Sequence, residues 1–354
     1  MGGLTYFDFG DDFTFSPDKK KPIYNWFYYK EAFSSGFVEK IIKMLDLKPP
    51  FFDPFCGAGT TLLYCKMNGM KSSGLDCNPL SAMVSRVKTR NYEIKILEEN
   101  LSKILEIKAN YNEDKRWGFK FFRPDEVFPR KSLSDFFSLL ENIENIEEKR
   151  EKEFFMTALL SLIPQTSFIF KDGGVLKIDK KKKLMPVKIA FKRKALRMIS
   201  EASALNGIEP NVFVGDARNF KGFKFSSIIT SPPYLNGVDY SKIYGLELNL
   251  AGGESEGFLR SFLLSKDMKA VKDAYFDDME KVLRMFDECL IENGVAAMVV
   301  GNSVVGGKMI EVDRILSEMG EKIGFKTYIV VGKERGIRHL GLPDVRESVV
   351  VLKK

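Results

Sequence analysis

The sequence predicts an α/β protein built on a parallel sheet and interrupted by a largely helical insertion. Three observations predict it. Short apolar runs alternate with helix-spaced segments over residues 51–87, the same alternation returns after residue 207, and helical spacing dominates the stretch between. Across 354 residues the chain is 44% hydrophobic and 29% charged, an ordinary globular balance that excludes a mostly disordered polypeptide.

Taken in order, the stretch through Phe15 is rich in Gly, Asp and Phe and reads as an extended arm. Ser34 to Leu47 carries Phe37, Ile41, Ile42 and Leu45 at helical spacing, and Pro49-Pro50 ends that helix. Phe51-Phe52-Asp53 is a short buried strand running into a glycine loop, and Thr60 to Asn68 is the helix behind it. Ser72 to Asp76 and Pro79 to Val87 repeat the strand and helix, so right-handed crossovers and a parallel sheet follow. From Tyr92 to Gly207 the rhythm stops. Helices are expected over Ile94 to Ile107 and Leu133 to Ile163, with the aromatic-basic segment Trp117 to Arg123 between them. Lys171 to Leu184, with Gly173-Gly174, reads as a hairpin or loop, and helix Val187 to Leu205 leads back to the sheet. Strands Asn211 to Gly215 and Phe225 to Ile229 follow. Helix Phe276 to Ile291, closed by Asn293-Gly294, precedes strand Val295 to Val300. Helix Val312 to Met319 and an antiparallel strand pair, Thr327 to Val331 with Glu347 to Leu352, finish the pattern. The expected division is 1–92 for the arm and first half-sheet, 93–206 for the insertion, and 207–354 for the second half-sheet. The insertion is large enough to be a small domain of its own.

Composition narrows the chemistry. No apolar run approaches the ~18 residues of a membrane span, and the N-terminus does not read as a signal peptide, so a cytoplasmic location is expected. The four cysteines form no CxxC pair and there is one histidine, His339, so neither a metal site nor histidine acid–base chemistry is expected. Cys56, Cys65, Cys77 and Cys289 read as small buried hydrophobes. A net charge of +7 suits a polyanionic partner. Gln165 is the only glutamine and Lys, Glu and Ile abound, a pattern resembling hyperthermophile proteins.

Two motifs carry chemistry. In Asp53-Pro54-Phe55-Cys56-Gly57-Ala58-Gly59-Thr60, the glycines let the backbone turn sharply and approach a ligand, and the next helix presents free N–H groups. A phosphate loop would need a Lys-Ser/Thr ending and a dinucleotide site a third glycine; neither is present. Asp76, about twenty residues further on at a strand end, suits ribose hydroxyls, and Asp216 in Gly215-Asp216-Ala217-Arg218 suits an adenine amino group; either could equally cap a helix. Asn25, Trp26, Phe27, Tyr28 and Lys30 form an aromatic cluster that either packs in the core or covers the ligand. The second motif, Thr230-Ser231-Pro232-Pro233-Tyr234, follows a buried strand. An exocyclic base nitrogen is a poor nucleophile because its lone pair is delocalised into the ring. A hydroxyl oxygen and a proline carbonyl accept its two N–H bonds and draw them out of plane, the second proline stiffens the turn, and the aromatic offers a face to a flipped base. A rigid structural turn is the plain alternative.

These motifs, in this order, resemble the exocyclic-amino methyltransferases of cytosine N4 or adenine N6 in nucleic acids, within the class I S-adenosylmethionine-dependent methyltransferases. The resemblance covers both half-sheets. It implies a Rossmann-like, seven-stranded, mostly parallel sheet with the last strand antiparallel. It implies S-adenosyl-L-methionine as cofactor, held by Asp53, Phe55, Gly57, Gly59 and Thr60, with Asp76 at the ribose and Asp216-Ala217 at the adenine. It gives Ser231, Pro232, Pro233 and Tyr234 the catalytic roles, the serine form being associated mainly with cytosine N4. Leu235-Asn236-Gly237-Val238-Asp239-Tyr240 resembles a subgroup labelled DNA modification methylases.

The insertion is the expected recognition surface, with Lys120, Arg123, Lys180, Lys181, Lys182, Lys183, Lys192 and Arg193 as phosphate contacts. Its lysines and aromatics suit shape and single-strand recognition as well as base reading, and related archaeal-type enzymes modify structured RNA. The expectation therefore leans to RNA such as ribosomal RNA, with DNA cytosine N4 or adenine N6 next. A protein-glutamine methyltransferase would normally carry Asn in place of Ser231, and a non-catalytic RNA-binding scaffold would not need intact cofactor positions.

Overall fold

The computed structural model describes residues 4–29, 31–106, 117–172, 175–235, 240–252, 268–305, 307–335 and 345–354. Lys30, Gly173-Gly174, Asn236 to Asp239 and His339 lie outside the described residues.

Strand β1 is Leu4–Tyr6, followed by helix α1 (Ser35–Leu45), β2 (Phe51–Asp53), α2 (Thr60–Met67), β3 (Ser72–Asp76) and α3 (Pro79–Thr89). The Ser34 hydroxyl accepts the Phe37 N–H to start α1, and Asp46 ends it in the left-handed region at φ 51°. Asn78 caps α3 in the same way, with Pro79 as first helical residue. The insertion comprises α4 (Ile94–Glu106), α5 (Pro124–Val127), α6 (Arg130–Glu144), α7 (Lys149–Leu160), α8 (Ile163–Thr166), the hairpin β4 (Ile169–Asp172) and β5 (Val175–Ile178), and α9 (Val187–Ala202). The helical stretch expected over Leu133 to Ile163 is made of α6 and α7, and α8 begins at its last residue. The second half contains β6 (Asn211–Val214), β7 (Phe225–Thr230), α10 (Tyr240–Ile243), α11 (Gly245–Leu250), α12 (Met268–Cys289) and β8 (Leu290–Gly301). It ends with β9 (Ser303–Val305), β10 (Lys308–Ile310), α13 (Val312–Ile323), β11 (Lys326–Arg335) and β12 (Val345–Lys353).

The main sheet runs β1-β11-β12-β8-β7-β2-β3-β6. Strands β6, β3, β2, β7 and β8 pair in parallel, while β12 is antiparallel to both β8 and β11. Central strands β7 and β8 are covered on both faces where they carry consecutive apolar residues, Ile228-Ile229 and Val295 to Val300. The seven strands expected from the resemblance are present, and an eighth corrects the count: β1 adds in parallel to β11. Its three residues are all exposed, so no alternation announced it. What docks it lies just behind, since Phe9, Phe13 and Phe15 of the expected free arm are buried.

The insertion shares its core with the rest of the molecule. One continuous apolar cluster joins Phe136, Phe154 and Phe191 of the insertion to Val84 and Val87 of α3, Trp26 of the arm and Leu246 of α11. Glu153 of α7 receives Arg86 of α3 and Arg90, the residue that follows that helix, at 2.7 Å each. Glu201 of α9 accepts the Trp26 indole N–H at 2.6 Å and the Ile23 N–H at 2.8 Å. Two lysines, Lys88 buried and Lys194 half-buried, hold the same arm segment: Lys88 donates to the Phe27 carbonyl and Lys194 to the Asn25 carbonyl. Burial pushes both ammonium groups down to about 7. The cysteine reading needs one correction, because Cys77 is exposed whereas Cys56, Cys65 and Cys289 are buried. Among the described residues no helix is long and apolar enough to cross a membrane.

Docking of the arm requires Gly332 on β11. A Cβ there would stand 2.0 Å from the Phe13 ring and 2.8 Å from the Phe9 ring. Gly332→Ala should therefore destabilise the fold by ~1–3 kcal/mol through overpacking, seen as a lower urea midpoint. An unchanged midpoint would mean that the arm does not pack on β11.

Candidate active site

The sheet order reverses between β2 and β7, and the loops leaving those two neighbouring strands bound one crevice. Asp53 closes β2 and is 2% exposed. Its Oδ1 accepts the Thr230 hydroxyl from the end of β7 at 2.7 Å and the Phe55 N–H at 3.2 Å. This buried bond ties the glycine loop directly to the Ser231 turn. Burial pushes the Asp53 carboxyl up to about 6, against the pull of its hydrogen-bond donors.

The glycine loop is held from two sides. Gly57 (φ 49°) donates its N–H to Asp76 Oδ2 at 2.9 Å, and its carbonyl accepts the Ser85 hydroxyl at 2.8 Å. Gly59 (φ 79°) starts α2, and a Cβ there would meet Ser85 Oγ at 2.8 Å. Only glycine satisfies both the backbone angle and that approach to α3. Thr60, the first helical residue, is buried, and Phe55 is half-buried. Asp76 also caps the following turn, its Oδ1 accepting the Asn78 N–H at 2.8 Å.

Asp216 is held by Arg218 through both main chain and side chain. Its Oδ1 accepts the Arg218 N–H at 2.9 Å, and the Arg218 Nε lies 3.0 and 2.9 Å from its two oxygens. Arg218 also reaches Asp278 of α12 at 2.8 Å. Burial opposes ionisation of Asp216, but Arg218 prevails and holds its carboxyl below the ordinary range. The cap reading is thereby met, and a contact to adenine would be made by an already ion-paired carboxylate. Ala217 behind it is buried.

The Ser231 turn lies across the end of β8. Ser231 Oγ faces the Val299 carbonyl at 3.4 Å, Pro232 is buried, Pro233 and Tyr234 are half-buried, and the Leu235 carbonyl accepts the Ser303 hydroxyl at 2.9 Å.

One part of the crevice had no sequence signal. Tyr29 stacks on Tyr244 with centroids 4.6 Å apart and planes 2° apart. Its Cε1 lies 3.8 Å from where a Gly57 Cβ would stand. Lys171 of the hairpin sits 3.4 Å from the Tyr244 ring centroid and pairs with buried Glu247 at 2.8 Å. The Tyr244 hydroxyl donates to Glu31 at 3.0 Å. Four segments distant in sequence make this stack, so no local pattern could reveal it. In the aromatic cluster itself, Trp26 and Phe27 are core residues.

Of the basic residues expected to meet phosphate, Lys120, Arg123, Lys180, Lys181, Lys183, Lys192 and Arg193 are exposed. Lys182 is different. Its ammonium donates to the carbonyls of Pro164, Ser167 and Ile169, clamping the hairpin onto α8, and burial lowers its pKa.

The donor set fits a nucleoside carrying a small zwitterionic tail. It offers glycines that leave the loop open, a carboxylate one strand over for hydroxyls, and a helix start for a carboxylate. The strand order and this crevice are those of the class I methyltransferase fold. The cofactor of such a chain is S-adenosylmethionine. No family model matches the sequence. The chain is 25% identical over 429 aligned residues to the Type II methyltransferase M.AvaI of Nostoc sp. (strain PCC 7120), covering 96% of this chain and 88% of that protein. It is 29% identical over 313 residues to the Type II methyltransferase M.BsoBI of Geobacillus stearothermophilus, covering 74% of this chain and 60% of that one. Among solved structures, TrmN from Thermus thermophilus aligns over 90% of this chain and 48% of its own, at 13% identity and a TM-score of 0.34.

Removing the donor to Asp53 tests the link between the loops. Thr230→Val should cost ~1–3 kcal/mol of stability and raise the Asp53 pKa further. Because the folded pKa of Asp53 lies above its unfolded value, its contribution is present below pH ~4 and is lost as pH rises through ~6, about 3 kcal/mol in all. The difference between wild-type and Asp53→Asn stabilities, measured by denaturation across this range, should fall and then level off above it. A flat difference would place Asp53 in contact with water.

Proposed function

We propose that the protein transfers the methyl group of S-adenosylmethionine to the exocyclic N4 amino group of cytosine in DNA. The observation that carries the proposal is the Thr230–Asp53 bond, which sets the Ser-Pro-Pro-Tyr turn beside the glycine loop in one crevice. The relatives that span most of the chain are Type II methyltransferases, and this favours DNA over the RNA to which the sequence reading leaned. Structured RNA is kept as the second reading because the insertion presents lysines and aromatics together. The amide-poor composition supports a heat-loving, archaeal-type origin.

The bound cofactor supplies an electrophilic methyl sulfonium. The chain's own residues prepare the nucleophile. Gly57, Gly59 and the start of α2 seat the cofactor, with Asp76 at its ribose hydroxyls, Asp216-Ala217 at its adenine, and Asp53, Phe55 and Thr60 shaping the loop. The Ser231 hydroxyl hydrogen is directed at the Val299 carbonyl, so its lone pairs face the substrate. Ser231 Oγ and the Pro232 carbonyl accept the two amino hydrogens, and the nitrogen lone pair leaves conjugation with the ring. With the methyl–sulfur bond broken and the methyl–nitrogen bond formed, the nitrogen carries one proton too many, which passes along these hydrogen bonds to solvent water, the hydroxyl and the carbonyl not retaining it. Pro233 keeps the turn rigid and Tyr234 stacks the extruded base.

Ser231→Ala should lower turnover by ~10²-fold with little change in cofactor affinity, whereas Asp76→Ala should weaken cofactor binding by ~1–3 kcal/mol. Methylation assays on DNA and RNA, read by nucleoside mass spectrometry, test the whole reading. N4-methylcytosine in DNA is the expected product, the same mark in RNA selects the second reading, and N6-methyladenine alone, or no transfer, overturns the proposal.

Lys120, Arg123, Lys180, Lys181 and Lys183 are the proposed phosphate contacts. Each one neutralised should flatten the salt dependence of DNA binding by about 0.9 in the log–log slope, without changing sequence preference. An unchanged slope would move recognition away from the insertion.

A further inference from the structure

We infer that the segment running from the end of β8 into β9, Val299 to Ser303, is the template that sets the register of the Ser-Pro-Pro-Tyr turn, and that Gly301 is a positioning residue for Tyr234. The inference rests on the proposed role of that turn but concerns residues outside it. Every second residue from Val299 touches a different part of the turn. The Val299 carbonyl faces Ser231 Oγ at 3.4 Å, the Gly301 Cα faces the Tyr234 ring, and the Ser303 hydroxyl donates to the Leu235 carbonyl at 2.9 Å. Positions 301 and 303 are two residues apart in extended chain and share a face, while the Val299 carbonyl reaches Ser231 from the edge of the strand, so one segment addresses the turn from its first residue to its last.

Gly301 is the point of closest approach. A Cβ there would lie 2.8 Å from Tyr234 Cε2 and 2.9 Å from Cδ2, closer than carbon atoms pack, and the other neighbouring atom is also in that ring, Cζ at 3.6 Å. Gly301 is paired with Glu347 within regular sheet, so glycine is required there by the ring and not by the backbone angle. The template is itself immobilised from behind. The intervening residue, Asn302, donates its N–H to the Arg346 carbonyl at 2.9 Å and accepts the Asp313 N–H on its side-chain oxygen at 3.2 Å. Asp313, fully buried, accepts the Ser348 hydroxyl at 2.9 Å and pairs with Arg346 at 3.1 Å. A buried polar network of this kind resists a shift that would leave any member unpaired. Moving Tyr234 is therefore easier than moving the strand, and a methyl group at position 301 displaces the ring.

The test is a double-mutant cycle on methyl transfer with Gly301→Ala, Tyr234→Ala and the pair, with cofactor affinity measured by calorimetry on each. Gly301→Ala should lose about ten- to a hundredfold in turnover, with cofactor affinity kept within about twofold and less than about twofold further loss when Tyr234 is already Ala. A crystal structure of Gly301→Ala should place the ring back at ~3.5–4.0 Å from the new methyl group. Ser303→Ala, which adds no atoms, should lower turnover in the same direction while leaving the ring on Gly301. Wild-type turnover in Gly301→Ala, an equal loss in both Tyr234 backgrounds, or an unmoved ring would overturn the inference. Wild-type turnover in Tyr234→Ala would instead remove that residue from the proposed reaction, and the ring position in the Gly301→Ala structure would still decide whether β8 is its template.

Discussion

The crevice depends on a single buried hydrogen bond between two strand ends. Thr230 and Asp53 come from opposite halves of the chain, 177 residues apart, and meet at 2.7 Å where the strand order reverses. Each strand end could support its loop alone, but neither loop would then have a defined distance to the other. Burial makes the bond exacting, because an unpartnered Asp53 in that position pays the full desolvation cost of a carboxylate. Asp76 and Ser85 fix the near loop, the end of β8 fixes the far one, and the Thr230–Asp53 bond joins the two assemblies.

The insertion is integrated rather than appended. Its helices extend the core through α3 and α11, and its hairpin delivers Lys171 to the Tyr244–Tyr29 stack beside Gly57. Lys88 and Lys194 reach two carbonyls, those of Phe27 and Asn25, in the arm segment that leads into Tyr29. The surface proposed to meet nucleic acid and the loop proposed to hold the cofactor are therefore joined through packed side chains. A strain on the hairpin has a contiguous route to the cofactor loop.

Much of this was legible in the sequence. The period of each apolar segment placed α1 to α4, β2, β3, β7 and β8 because those elements bury one face or two, and burial is what writes a period. The glycine loop was legible because its angles and its approach to Ser85 admit little else. What escaped was non-local. β1 is three exposed residues held by phenylalanines further along, and the tyrosine stack is assembled from four separate segments. Lys182 looked like one of four equivalent surface charges, and only the fold of the hairpin turns its ammonium inward to three carbonyls. Asp216 suited both a cap and a ligand contact, and the sequence does not specify that Arg218 and Asp278 close a charge chain on it.

The place of β12 bears on how the molecule is built. It is the last strand in sequence, yet it lies inside the sheet between β8 and β11, antiparallel to both. Until it arrives, β8 has one open edge, the template for the catalytic turn is unbacked, and β11 has nothing to bring it alongside. β1, the first strand, must wait for β11 in turn. The two outer pairings differ in reach: β12 joins strands near it in sequence, Val351 pairing with Tyr328 and Ala297, whereas β1 pairs Leu4 with Ile329 across nearly the whole chain. The β8 edge is thus covered by a pairing close in sequence, and the pairing that carries the large loop-closure cost is the docking of β1 on β11.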